Sequence, residues 1–104
     1  MISDLEREKF KKAWQRILSS DRILLVSHLN PDVDAISSIG VFSDILESLG
    51  KKYFSYAENK EDEYDYIPHA EEIISSKEEL KNIINKESDL GDNYLDYFDL
   101  IITF

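Results

Sequence analysis

Residues 22–27, "RILLVS", are apolar without alternation, and that short run constrains the fold more than any other feature of the chain. A strand with one wet face alternates apolar and polar residues. An unbroken run of this length reads as a strand covered on both faces, the habit of a parallel sheet. The period then changes. From Asp34 or Ala35 to Leu49, residues Ala35, Ile36, Ile39, Phe42, Ile45, Leu46 and Leu49 fall along one side of a helix, and Gly50 stands where a helix ends in a left-handed residue. "KKYFSYAE" follows, with the β-prone Tyr53, Phe54 and Tyr56. Strand, helix and strand with short connections make a βαβ unit, whose crossover is right-handed. The expected class is therefore α/β, a three-layer partial parallel sheet with flanking helices.

The flanks extend this unit. Residues 3–19 read as a helix: Ser3 and Glu6 have the spacing of a capping box, and Leu5, Phe10, Ala13, Trp14, Ile17 and Leu18 form one apolar stripe. Residues 1–20 are thus expected to be a covering helix, with Trp14 used in packing. Residues 58–68, "ENKEDEYDYIP", read as an acidic surface loop with a short helical turn near Tyr64 to Ile67, and "AEEIISS" as a short strand or turn. Ser76 and Glu79 repeat the capping-box spacing ahead of Leu80, Ile83 and Ile84, which share one helix side, so a second βα pair is expected. After the polar "ESDLGDNYLDY", the segment "FDLIITF" reads as a third buried strand. No helix follows to cover it, although a parallel strand needs cover on both faces. Residues 21–104 are accordingly expected to be the N-terminal portion of a longer domain.

Composition excludes several classes. A chain of 104 residues holds one domain. It has no cysteine, so disulfides and thiolate metal sites are ruled out. The formal net charge of −10 repels polyphosphate at long range, which argues against tight binding of duplex nucleic acid by this segment. The charged N-terminus "MISDLEREKFKKAWQR" is no signal peptide, and nothing approaches the ~20 apolar residues of a membrane span. A cytoplasmic protein is the default expectation.

One stretch asks for more than folding. "SHLNPDVDAISS", residues 27–38, leaves the first strand with His28, then Asp32 and Asp34. In open α/β sheets, ligands bind in the crevice outside the carboxyl ends of the strands, which is where this loop falls. One imidazole with two carboxylates is a ligand set for hard or borderline divalent ions such as Mn²⁺ or Mg²⁺. Two carboxylates held ~4 Å apart near a surface repel by about 4 kcal/mol at an effective dielectric of ~20, and a cation beside them turns that cost into attraction. Pro31 stiffens the loop and pushes Asn30 toward an extended conformation. A purely structural account also fits these residues: Asp34 as helix N-cap, Asn30 and Asp32 as turn formers, His28 as a hydrogen-bonded spacer.

The block "ILLVSHLNPDVDAISSIGVFSDILESLG" closely resembles the first block of the DHH phosphoesterases. These include RecJ-like exonucleases, the oligoribonuclease/3′-phosphoadenosine-5′-phosphate phosphatases, and relatives that cleave cyclic dinucleotides or pyrophosphate. The matching residues are His28, Pro31, Asp32, Asp34 and Ala35 of a strand–His-x-x-Pro-Asp-x-Asp-Ala–helix pattern. The resemblance covers residues 22–57 well and extends to 98–104, where "FDLIITF" is similar to the strand that leads into the next block. It says little about residues 1–21. Val33 and Ser37 depart from the family's usual small residues, and the second-block aspartate, the Asp-His-His signature and the substrate-binding domain are absent from this sequence.

The resemblance implies a metal-dependent phosphoester hydrolase working with two Mn²⁺ ions, Mg²⁺ being a possible substitute. It assigns His28 and Asp32 to one ion and Asp34 to the second, with Asp34 the catalytic residue. The implied substrate is small and phosphorylated: a short oligonucleotide, a nucleotide bisphosphate or a cyclic dinucleotide. The activity belongs to the longer parent, and residues 1–104 alone are expected to bind Mn²⁺ weakly and to be inactive. Ser37 and Ser38 serve capping or packing, with phosphate contact the bolder reading. The alternative function is a non-catalytic, acidic α/β interaction module. His69, after Pro68, reads as a surface histidine, and Tyr53, Tyr56, Tyr64 and Tyr66 as packing or strand residues.

Overall fold

The computed structural model describes residues 3–28 and 30–104. Helix α1 spans Asp4–Ser19, with Ser3 as N-cap accepting the Glu6 N–H at 3.1 Å. Strand β1, Arg22–Ser27, and strand β2, Lys52–Ala57, flank helix α2, Val33–Ser48. Helix α3, Lys77–Ser88, is capped by Ser76, whose Oγ accepts the Glu79 N–H at 3.1 Å. Strand β3, Leu100–Thr103, completes a parallel sheet of order β2-β1-β3. Met1 and Ile2 of the expected covering segment lie outside the described residues.

β1 is the hub. Leu25 pairs with Ser55 on one side and Ile102 on the other. Successive strand residues point to opposite faces, so Ile23 and Leu25 enter one core while Leu24 enters the other. The first core lies under α2, which contributes Ile36, Ile39 and Leu46, and takes in Ile17 of α1. The second lies under α3, with Leu80, Ile84, Tyr97 and Phe98. Two covered faces explain why the run does not alternate, and they make the three layers expected from sequence.

The strand order reverses at β1. The chain passes from β1 over α2 to β2 on one flank, then returns by α3 to lay β3 on the other. Asp99 fastens the entry of β3: its carboxylate accepts the backbone N–H groups of Asp21 and Arg22 at 2.9 and 3.0 Å, and these bonds hold its pKa below the ordinary aspartate value.

Several expectations are corrected. β3 forms but among the described residues it lies at the sheet edge and is not buried: Ile101 is 45% exposed. The apolar stripe of α1 does not cover the sheet. Ile17 is its one buried residue, whereas Phe10 is 69% exposed. α2 begins at Val33, ahead of Asp34, so the cap is Asp32. The helical turn of the acidic loop falls at Asp62–Tyr64. "AEEIISS" divides into a 3-10 turn, Ala70–Glu72, and a single parallel bridge from Ile74 to Tyr56. The polar break before β3 holds a 3-10 stretch, Gly91–Tyr97, because the buried Tyr97 anchors it. Among the described residues, no helix is long and apolar enough to cross a membrane.

The 58–75 segment touches α2 at Gly40. A Cβ built there would lie 2.7 Å from the carbonyl oxygen of Pro68, a backbone atom with little room to retreat. Gly40→Ala is therefore expected to destabilise the chain by about 1–3 kcal/mol, as overpacking does, despite the ~1 kcal/mol that alanine gains over glycine in a helix. Urea unfolding of the two chains measures the difference; a more stable alanine variant would show the contact to be loose.

Candidate metal centre

The loop after β1 is built by local chemistry. Asn30 takes a left-handed conformation (φ 54°), not the extended one expected ahead of Pro31; asparagine tolerates it better than most residues, and its N–H donates to Glu58 O at 3.1 Å, tying the loop to the end of β2. Pro31 is buried beneath it. Asp32 then ends the loop as N-cap: Oδ1 accepts the Ala35 N–H at 2.9 Å and its carbonyl accepts the Ile36 N–H at 3.1 Å. Asp34, in the first turn of α2, is exposed and makes no side-chain hydrogen bond or ion pair among the described residues. It lines an open depression of about 400 Å³ with Ser37, Ser38, Val41 and Phe42.

His28, Asp32 and Asp34 thus share the carboxyl end of β1, at the point where the strand order reverses. In a doubly wound sheet this is the switch point, where loops diverge to opposite faces and leave a crevice. The three do not make one compact ligand set. Among the described residues, the His/Asp/Glu trio whose ligand atoms all lie within 4.8 Å of one another is Asp44, Glu47 and His69.

The surroundings are polar and negative. Tyr64 lies within the electrostatic reach of Asp32; partial burial first, then Glu63, Glu61 and Asp32, raise its pKa above the ordinary tyrosine value. Ser27, the last residue of β1, is 4% exposed, and its Oγ has no hydrogen-bond partner. A buried hydroxyl is normally satisfied, and this one is an exception among the described residues. The donor set fits hard divalent ions: an imidazole, two Asp34 oxygens, and the Asp32 Oδ2 outside the capping bond.

The grouping at Asp44 was not legible in the sequence. His69 is no loose surface histidine: its side chain is only 13% exposed. Nε2 lies 2.6 Å from Asp44 Oδ1 and Nδ1 lies 3.0 Å from Glu72 Oε2, with Glu47 Oε1 at 3.8 Å. The Tyr53 hydroxyl donates to Glu47 at 2.8 Å and reaches Glu72 at 3.3 Å. The one sequence signal was Asp44 and Glu47 on neighbouring turns of α2; that a distant loop would deliver His69 to them has no local signature. The hydrogen bonds to Asp44 and then Glu72 raise the histidine pKa above its ordinary value, against the opposing effect of burial.

Comparison with protein-family models, with curated proteins and with solved structures found no match to the chain.

Proposed function

We propose that the chain carries the first ligand block of a cytoplasmic, Mn²⁺-dependent phosphoesterase of the DHH kind, acting on small phosphorylated substrates such as short oligonucleotides or nucleotide bisphosphates. One observation supports the reading: His28, Asp32 and Asp34 lie on the connection that leaves the carboxyl end of β1, where the strand order of a parallel sheet reverses, the usual ligand crevice of this architecture. Their lack of a single three-ligand geometry agrees with a division in which His28 and Asp32 serve one ion and Asp34 another. The resemblance puts the next aspartate after β3. The carboxyl end of β3 supports that position: the Phe104 N–H donates to Val26 O at 2.9 Å, beside the end of β1.

Divalent ions held by His28, Asp32 and Asp34 would supply an activated water and neutralise charge on the leaving oxygen. The chain's own residues supply placement. Asp32 is held by its cap bond and Asp34 projects from the first turn of a helix, so neither carboxylate has to be gathered from a mobile loop. The N-terminal end of α2 adds a partial positive charge beside an anionic substrate. The surrounding acids disfavour long polyanions, which agrees with a small substrate.

Manganese titration followed by calorimetry or water-proton relaxation tests this. The expected result is weak binding by the chain, reduced by Asp32→Asn and again by Asp34→Asn. Asparagine keeps the oxygen that caps α2, so loss of binding reports charge rather than unfolding. Binding that survives both substitutions together would sink the proposal. A non-catalytic interaction module is the second reading, favoured by the exposed Leu5, Phe10 and Trp14 of α1; Mn²⁺ uptake that depends on Asp34 separates the two.

A further inference from the structure

We propose that His69 is a proton-operated latch: as an imidazolium it clasps the 61–73 segment onto α2, and it lets the segment go when the ring loses its second proton. Both ring nitrogens face carboxylate oxygens, Nε2 that of Asp44 on α2 and Nδ1 that of Glu72 on its own turn. A neutral imidazole has one N–H and one lone pair. It can satisfy one of these oxygens but must oppose the other when both carboxylates are ionised, so the geometry favours the doubly protonated ring.

Every group that faces the ring favours this state. Asp44 and Glu47 approach from α2, and Glu72 from the turn itself. From β2, Tyr53 presents a hydroxyl that donates to Glu47 at 2.8 Å and lies 3.3 Å from Glu72. The hydrogen bond to Asp44 first, then that to Glu72, raise the histidine above its ordinary value against the opposing effect of burial. A histidine whose folded pKa is raised contributes stability that is fully present below about pH 6.5 and is lost as pH rises through the folded value.

The latch has a load. His69 is held in the left-handed region (φ 69°), which few residues other than glycine adopt unaided. Next to it, Pro68 lies against Gly40. The groove between segment and helix, about 200 Å³, is lined by Ser37, Gly40, Val41, Asp44, Ile67 and Pro68. Ser37 and Val41 also line the depression at Asp34. Opening the latch therefore removes one wall beside the candidate metal centre. The latch stands whether or not that centre binds metal.

Amide hydrogen exchange of the chain, corrected for intrinsic rates, and an NMR titration of the His69 ring from about pH 6 to about pH 9 test the idea. The diagnostic amides are those of Ile67, Ala70, Glu72 and Ile73, which bond within the segment. They are expected to lose protection in step with the ring's titration, above the ordinary histidine range, while the β1 amides keep theirs. Asp44→Asn is expected to shift both transitions to lower pH, and His69→Gln to give the unprotected pattern throughout. The wild-type titration decides the matter even if a variant fails to fold. Segment protection that stays constant as the ring deprotonates, a ring that titrates at or below the ordinary value, or an Asp44→Asn midpoint equal to wild type overturns the proposal.

Discussion

On the proposed function, Asp34→Ala is expected to abolish Mn²⁺-dependent phosphoester hydrolysis in a chain that carries both ligand blocks, while leaving the fold in place. The separation is possible because Asp34 has no structural duty. It caps nothing, pairs with nothing among the described residues, and is exposed; its one contribution to the helix is a small favourable charge at the positive end of the dipole. The loss in kcat is expected to be at least on the order of a hundredfold, the scale seen when one transition-state-stabilising group is removed. Asp32→Ala makes an instructive contrast. Asp32 also caps α2, so that change costs about 1 kcal/mol of stability as well. Steady-state kinetics with a dinucleotide or nucleotide bisphosphate, alongside thermal unfolding, distinguishes the two variants. Undiminished turnover in Asp34→Ala would remove the role assigned to it.

Leu25→Ala is expected to have the largest effect on stability. Leu25 has no exposed surface and lies midway along the strand to which both others pair, with its side chain in the core under α2. Truncating a buried leucine costs about 2–5 kcal/mol, part lost transfer energy and part residual cavity. A domain of this size has about 5–15 kcal/mol in all, so the variant comes close to unfolding. Ile101→Ala, on the half-exposed edge strand, removes less buried surface and is expected to cost far less. Urea midpoints of the two variants report the ratio. Equal losses would mean that β1 is not the centre of the core.

What could be read from the sequence was local. The limits of β1 follow from where the apolar run begins and ends, and both Ser3 and Ser76 cap the helices that their spacing announced. The place of the candidate centre was legible for the same reason: His28, Asp32 and Asp34 are close in sequence, so a strand–loop–helix connection brings them to one end of the sheet. What escaped were facts about partners. A stripe along α1 shows that a face is apolar, not that it meets another surface, and past Ile17 it does not. "LIIT" shows strand propensity, but its burial depends on whether a neighbour lies beyond it. The reversal of strand order at β1 arises because α3 carries the chain back across the sheet, a choice no window of residues encodes. His69 was misread because its carboxylates lie on a different element, and the loop that delivers it has no period.

Among the described residues, no strand pairs with the outer edge of β3, four residues of high strand propensity without proline or lysine. Such an edge is a template for a strand from another copy. The net charge of −10 opposes that encounter, but its reach shrinks to about 8 Å at physiological salt. For residues 1–104, self-association is therefore expected to rise with ionic strength, as screening brings such edges within range of one another.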